Sequence, residues 1–189
     1  MKSLTTVGTL TALLLTVCVT ACQPNKKEEG STGEANQQNA ANFNRDEEKD
    51  ADFIVKIVSG NLSEIALAQL AQRTSTSKDI KSIAEMLEKD HTKILGELTT
   101  FAAKRGIAVP TKEASGSEID NNDLAVADAA VFDKKWCNSL VARHQRFIRK
   151  FEIESAKTDD VELKSWIEAT LYTSKEHLEM LKMYQEKIK

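Results

Sequence analysis

Apolar residues along this chain gather into four long stretches with a period near 3.6, separated by polar breaks. The first runs from about Asp50 to Arg73, where Phe53, Ile57, Leu67, Ala68 and Ala71 recur at helical spacing and Glu64 shares their face. The second, about Lys78 to Lys104, sets Ile80, Ile83, Leu87, His91, Ile94, Leu98 and Phe101 on one stripe and stops at Gly106, a residue suited to a left-handed C-cap. The third, about Ala129 to Ala156, carries Trp136, Leu140, His144, Phe147 and Phe151, with Cys137, Val141 and Ile148 beside them. The fourth, about Asp160 to Lys187, carries Leu163, Ile167, Thr170, Ser174, His177, Leu181, Tyr184 and the following Ile188. Stripes of this width predict amphipathic helices that bury one face.

The breaks predict how the helices connect. Thr74–Ser77 is short, with Thr76 and Asp79 as a weak capping box, and the turn near residue 158 precedes an Asp159-x-x-Glu162 box. Each short turn makes an antiparallel hairpin of its two helices. Between the hairpins lies a connection from about Gly106 to Asp128, containing Pro110, Ser115-Gly116-Ser117 and Asn121-Asn122-Asp123. It has the length to cross from one end of a bundle to the other. The expected fold is therefore all-α: an antiparallel four-helix bundle made of two hairpins joined by one long crossover. Gly60 and Gly96, at nearly equal height from the first turn, are expected where the first two helices approach closely.

The N-terminus has another character. Lys2, the apolar run Val7–Val19 and the small residues after it form an export signal over 1–21. Its end, Val19-Thr20-Ala21-Cys22, resembles a bacterial lipobox, which implies a lipidated Cys22 and attachment to a membrane. Residues 22–49 are nearly free of apolar side chains and are expected to form a disordered tether, leaving 50–189 as the bundle domain. With Cys18 in the signal and Cys22 lipidated, Cys137 is alone and has no disulfide partner. It sits two turns from His144, which suits a buried inert thiol. A net charge of −3 on an exported chain argues against nucleic acid as a partner.

Candidate chemistry lies in the three histidines. His91, His144 and His177 each fall near the middle of a different helix, on its apolar face, and counting residues from the turns brings them to similar height with Glu64. Glu88, three residues before His91, can point at the same ion. Three imidazoles with one or two carboxylates suit one divalent Zn, Cu, Ni or Fe ion. His91, His144, His177, Glu64 and Glu88 are the candidate ligands, Glu64 before Glu88. The competing reading is a polar core network in which the histidines bond to Glu64, Glu88, Asp90, Ser174 or Thr170 and hold the register without metal. Met86, Met180 and Met183 read as core filler. No nucleophile elbow, phosphate loop or dinucleotide motif is present, and a metalloenzyme would need an open coordination position and a substrate path. An imidazole site is expected to weaken below about pH 6.

Over residues 51–187 the chain resembles the ferritin-like four-helix bundles of bacterial envelope proteins grouped as domain of unknown function 4142. The resemblance is carried by Glu64 after Gly60-Asn61-Leu62, Met86-x-x-x-Asp90-His91-Thr92-Lys93, Phe132-Asp133, His144 and Glu176-His177-Leu178. It implies a ferritin-like arrangement and an envelope address, without an assigned activity. Of the wider ferritin-like carboxylate pattern, Glu64 and Glu88-x-x-His91 remain, while the other two helices offer only His144 and Ser174-x-x-His177. That departure puts di-iron chemistry in doubt. The sequence is thus consistent with a lipid-anchored protein of the periplasm or cell surface, binding metal at mid-bundle or serving as a non-enzymatic scaffold or interaction module.

Overall fold

The structure is a computed structural model and describes residues 31–112, 124 and 128–188. The signal, Cys22 and residues 23–30 lie outside the described residues. Among those described there are five helices and no strands: α1 (Ser31–Asn42), α2 (Arg45–Thr74), α3 (Lys78–Lys104), α4 (Ala129–Ser155) and α5 (Val161–Lys187). Helix α2 packs along α3 and α4 along α5, α2 also touches α4, and α1 lies on α2.

Local chemistry explains the boundaries. Helix α2 starts earlier than its apolar stripe because Asn44 and Glu47 cap it reciprocally: Glu47 N donates to Asn44 Oδ1 at 3.2 Å and Asn44 N to Glu47 Oε2 at 3.1 Å. The caps of α3 and α5 each fall one residue later than expected. Ser75 Oγ accepts from Ser77 N at 3.0 Å, and Thr158 Oγ1 accepts from Asp160 N at 3.1 Å. Each hydroxyl folds a tight local turn, so Ser77 and Asp160, instead of Thr76 and Asp159, accept from Ile80 N and Leu163 N. Helix α3 ends as expected at Gly106, with φ at +68°. Ile107 N donates to Ala102 O and Gly106 N to Ala103 O, the paired bonds of a left-handed glycine cap.

Side-chain bonds pin the ends of the bundle. At one end Thr158 Oγ1 donates to Asp50 at 3.3 Å, while the Arg105 guanidinium lies 3.6 Å from the Phe101 ring centroid and reaches both Asp160 and Glu162 at 2.9 Å. At the other end Ser77 Oγ meets Tyr184 Oη at 3.0 Å. The start of α2, the end of α3 and the α4–α5 turn therefore share one end, and the start of α4 lies toward the other, where Phe132 packs in the same cluster as Ile80 and Tyr184. In between, Trp136 Nε1 of α4 donates to the Leu67 carbonyl of α2 at 2.9 Å, satisfying a fully buried indole.

The apolar core is divided in two. One half gathers Leu67, Ile80, Leu87, Phe132, Trp136 and Leu181. The other gathers Ile54, Ile57, Leu98, Phe101, Phe151 and Ile167. A polar layer lies between them. Residues 47–74 are long and apolar enough to cross a membrane, but 61% of the most apolar window is buried inside the protein, so its apolar face is accounted for by the core.

Two expectations change here. Gly60 does permit a close approach, but by the Phe147 ring of α4: a Cβ at Gly60 would lie 2.0 Å from Phe147 Cζ, whereas one at Gly96 would meet nothing within 4 Å. And part of the supposed disordered tether is ordered. Residues 31–42 form α1, which buries Ala35 and Asn39. Asn39 Oδ1 accepts from Ala108 N at 2.8 Å and Asn39 Nδ2 donates to Ala108 O at 2.9 Å, while Ser31 Oγ pairs with both polar backbone atoms of Lys112. Polar bonds dock this helix, so apolar periodicity did not mark it.

Asn39→Ala removes both bonds to Ala108. It is expected to expose the amides of residues 31–42 to hydrogen exchange while lowering global stability by only about 1–3 kcal/mol. Equal loss of protection across α2–α5 would contradict this separation.

Candidate metal centre

Helices α3, α4 and α5 each carry one histidine inward, and α2 faces them with Asn61 and Glu64. All five side chains are buried. The rings lie 5.4–5.6 Å apart between centroids, and one nitrogen from each histidine lies within 4.8 Å of one from both others.

The outer nitrogen of each ring is already committed. Asn61 donates its amide to Ile57 O at 2.9 Å, leaving its Oδ1 to accept from His91 Nδ1 at 2.8 Å. His144 Nδ1 donates to the Leu140 carbonyl at 3.0 Å. His177 Nε2 donates to Asp90 Oδ2 at 3.1 Å. Since all three partners are acceptors, the hydrogen-bond network assigns each neutral ring a single tautomer. The lone pairs left over are on His91 Nε2, His144 Nε2 and His177 Nδ1. Two of these, on His144 and His177, face one another at 3.4 Å.

Glu64 completes the group. Its Oε2 is 3.0 Å from His91 Nε2 and 3.5 Å from His144 Nδ1. Despite the short distance, neither carboxylate oxygen nor His91 Nε2 meets hydrogen-bond geometry with a partner among the described residues. Burial pushes the Glu64 carboxyl up, but the His144 and His91 rings and the Arg143 guanidinium more than offset it, holding Glu64 at about 2. Burial is also the main reason that His144 lies below the usual imidazole range, against the pull of Glu64. His177 is pushed down to about 4 by burial, opposed by its bond to Asp90.

The structure therefore brings together His91, His144, His177 and Glu64. It does not bring in Glu88, whose carboxylate takes hydrogen bonds from Gln69 at 2.8 Å and Gln72 at 2.6 Å on the α2–α3 surface. The three-residue offset from His91 turns Glu88 toward α2. Asp90, beside His91 in sequence, points around the helix to His177 instead. Asn61 had a legible signal, since it lies three residues before Glu64 on the same helical face. Cys137 donates to Leu181 O at 3.3 Å and is pushed up to about 11 by burial, the inert thiol expected. Met86 and Met180 pack on the core, while Met183 is 63% exposed. Cys22 lies outside the described residues.

Fold and site define a helical bundle with a buried tri-histidine centre able to hold a metal. The chain belongs to the family described as domain of unknown function (DUF4142), whose profile matches residues 33–183. Its fold is similar to that of CopM solved in the Cu(II)-bound and Cu(I)-bound forms, each with a TM-score of 0.63 at 17% identity, covering 73% of this chain and 96% of that one. No match was found among curated proteins.

Acid is expected to destabilise the metal-free protein in two windows. His177 has a lower pKa folded than unfolded, so the unfolded chain binds its proton first. Stability then falls as pH drops from 6.5 toward about 4, by at most about 3 kcal/mol. Glu64 is also depressed, and its contribution is lost as pH falls from 4.5 toward about 2. Urea unfolding from pH 7 to 4 checks this, with His177→Gln flattening the upper window. An unchanged slope in that variant would contradict the assignment.

Proposed function

We propose that this is a lipid-anchored bacterial envelope protein, a ferritin-like four-helix bundle with a docked N-terminal helix, that binds one transition-metal ion at mid-bundle. His91 Nε2, His144 Nε2 and His177 Nδ1 supply imidazole nitrogens and Glu64 a carboxylate. The observation that carries the reading is the buried triad itself, one nitrogen of each ring within 4.8 Å of one from both others. With their outer nitrogens bonded to Asn61, Leu140 and Asp90, the three rings turn their remaining nitrogens toward one small space beside the Glu64 carboxylate, a donor set that a cation can share. The bonds to Asn61, Leu140 and Asp90 are the outer contacts by which metal-binding histidines are oriented.

Zn, Cu, Ni and Fe all accept this donor set. Copper is the first to test, because the structurally similar CopM was solved with it in two oxidation states. Beside the triad lies a space of about 10 Å³ lined by Asn61, Ile94, Phe147, Phe151, Thr170 and Ser174. That is room for about one water, far less than the roughly 300 Å³ of a small-molecule pocket. It supports metal binding over catalysis on an organic substrate. Burial of His144 and His177 also moves proton competition to more acid conditions than the pH 6 expected from free imidazole.

The purified full-length protein, titrated with Cu²⁺ or Zn²⁺ and assayed by elemental analysis after desalting, is expected to retain one ion per chain. His144→Ala should abolish stoichiometric retention. Asp90→Asn, which keeps every proposed ligand, should weaken affinity about 10–100-fold, and Glu88→Gln should leave it unchanged. Metal retained equally by His144→Ala would favour the scaffold reading, in which the histidines are structural. Anchoring has a separate test: Cys22→Ala should release the protein from the membrane fraction.

A further inference from the structure

A second polar site lies on the outer side of the α2–α4 contact. Residues Lys56, Ser59, Gly60 and Ser63 of α2 face Arg143, Arg146, Phe147 and Lys150 of α4 across a cleft of about 200 Å³. Both sets follow the i, i+3, i+4, i+7 spacing of one helical face. We propose that this cleft binds a phosphate-class oxyanion.

Four cations from two helices share this cleft in a chain whose net charge is −3. Lys56, Arg146 and Lys150 are exposed at the rim, Arg143 is buried, and the Ser59 and Ser63 side chains lie in the buried wall. Lys56 also lies 4.0 Å from the exposed Asp52 and its charge reaches Glu154, and the charge of Arg143 reaches Glu64 behind the cleft. The rim nevertheless crowds like charges: besides burial, Lys56 and Arg146 both depress Lys150. Holding like charges together is unfavourable unless an anion compensates them. Guanidinium, ammonium and hydroxyl groups around one small concavity supply several donors, and no acidic residue lines it, which suits a tetrahedral oxyanion with acceptor oxygens on every side. The space is that of a single anionic group, too small for a strand of nucleic acid or an acidic peptide.

The position of α1 suggests two sources for that group. Thr32 Oγ1 lies 3.5 Å from Ser59 Oγ, so the chain preceding Ser31 starts beside the cleft. If Cys22 is lipidated, as proposed above, the nine Cα steps from Cys22 to Ser31 span at most about 32 Å, and headgroup phosphates come within reach. The lipid source depends on that anchoring; the cleft's chemistry does not.

Titration calorimetry on the full-length protein tests the proposal, with inorganic phosphate in one arm and glycerophosphoglycerol, a soluble phospholipid headgroup, in the other, at ionic strength held constant with chloride. Saturable binding of at least one probe is expected, weakened at least about tenfold in Lys56→Gln/Arg146→Gln/Lys150→Gln and unchanged in Lys81→Gln/Lys89→Gln. Metal retention should be the same in all of them, so failure here is distinguishable from failure of the metal reading. Tighter binding of glycerophosphoglycerol assigns a headgroup ligand, and tighter or equal binding of phosphate a free anion. No saturable binding of either, or binding unaffected by the triple variant, overturns the proposal. Arg146→Gln alone serves if the triple variant does not fold.

Discussion

The structure depends on a polar layer that splits its core. Two apolar clusters are separated at mid-height by Asn61, Glu64, His91, His144 and His177, groups that would each be costly to bury unpartnered. The outer ring nitrogens are satisfied by an amide oxygen, a main-chain carbonyl and a carboxylate. The inner ones are turned on one another. That asymmetry leaves the triad able to hold a metal ion, with one nitrogen of each ring within 4.8 Å of one from both others.

Everything around the layer serves to hold it. The Arg105, Thr158 and Ser77 contacts pin both bundle ends, Trp136 fixes α4 to α2 through the Leu67 carbonyl, and the Phe147 ring uses the missing side chain of Gly60 to come close to α2. Phe147 then lines both the small space beside the histidines and the cationic cleft on the other side. The histidine layer and the cationic cleft are thus two faces of a single helix contact, with the buried Arg143 lining the cleft and its charge reaching Glu64.

Much of this was legible in the chain. The four apolar stripes mark α2 to α5, since burial of one helical face imposes its own period. Height counted from two short turns was enough to bring Glu64 together with three histidines, because rise per residue is nearly constant. The caps were legible to within one residue; Ser75 and Thr158 displaced them by bonding locally. Helix α1 was not legible, because it docks through Asn39 and Ser31 to backbone atoms near residue 110, and polar docking leaves no apolar stripe.

The sequence by itself determined which faces are buried and which elements carry the histidines, for both follow from periodicity along one helix. Only the tertiary structure decided which way each polar group turns. Glu88 and Asp90 stand two residues apart on one helix, yet Gln69 and Gln72 of α2 capture the first while His177 of α5 captures the second. In the same way, Lys56 joins Arg143, Arg146 and Lys150 across 87 residues of chain, so the basic run of α4 gains a partner that its own spacing does not show. The physical reason is common to both: hydrogen bonds and charge pairs are directional or cross-helical, and their partners are chosen by rotation between helices, a quantity that spacing along one strand of chain does not contain.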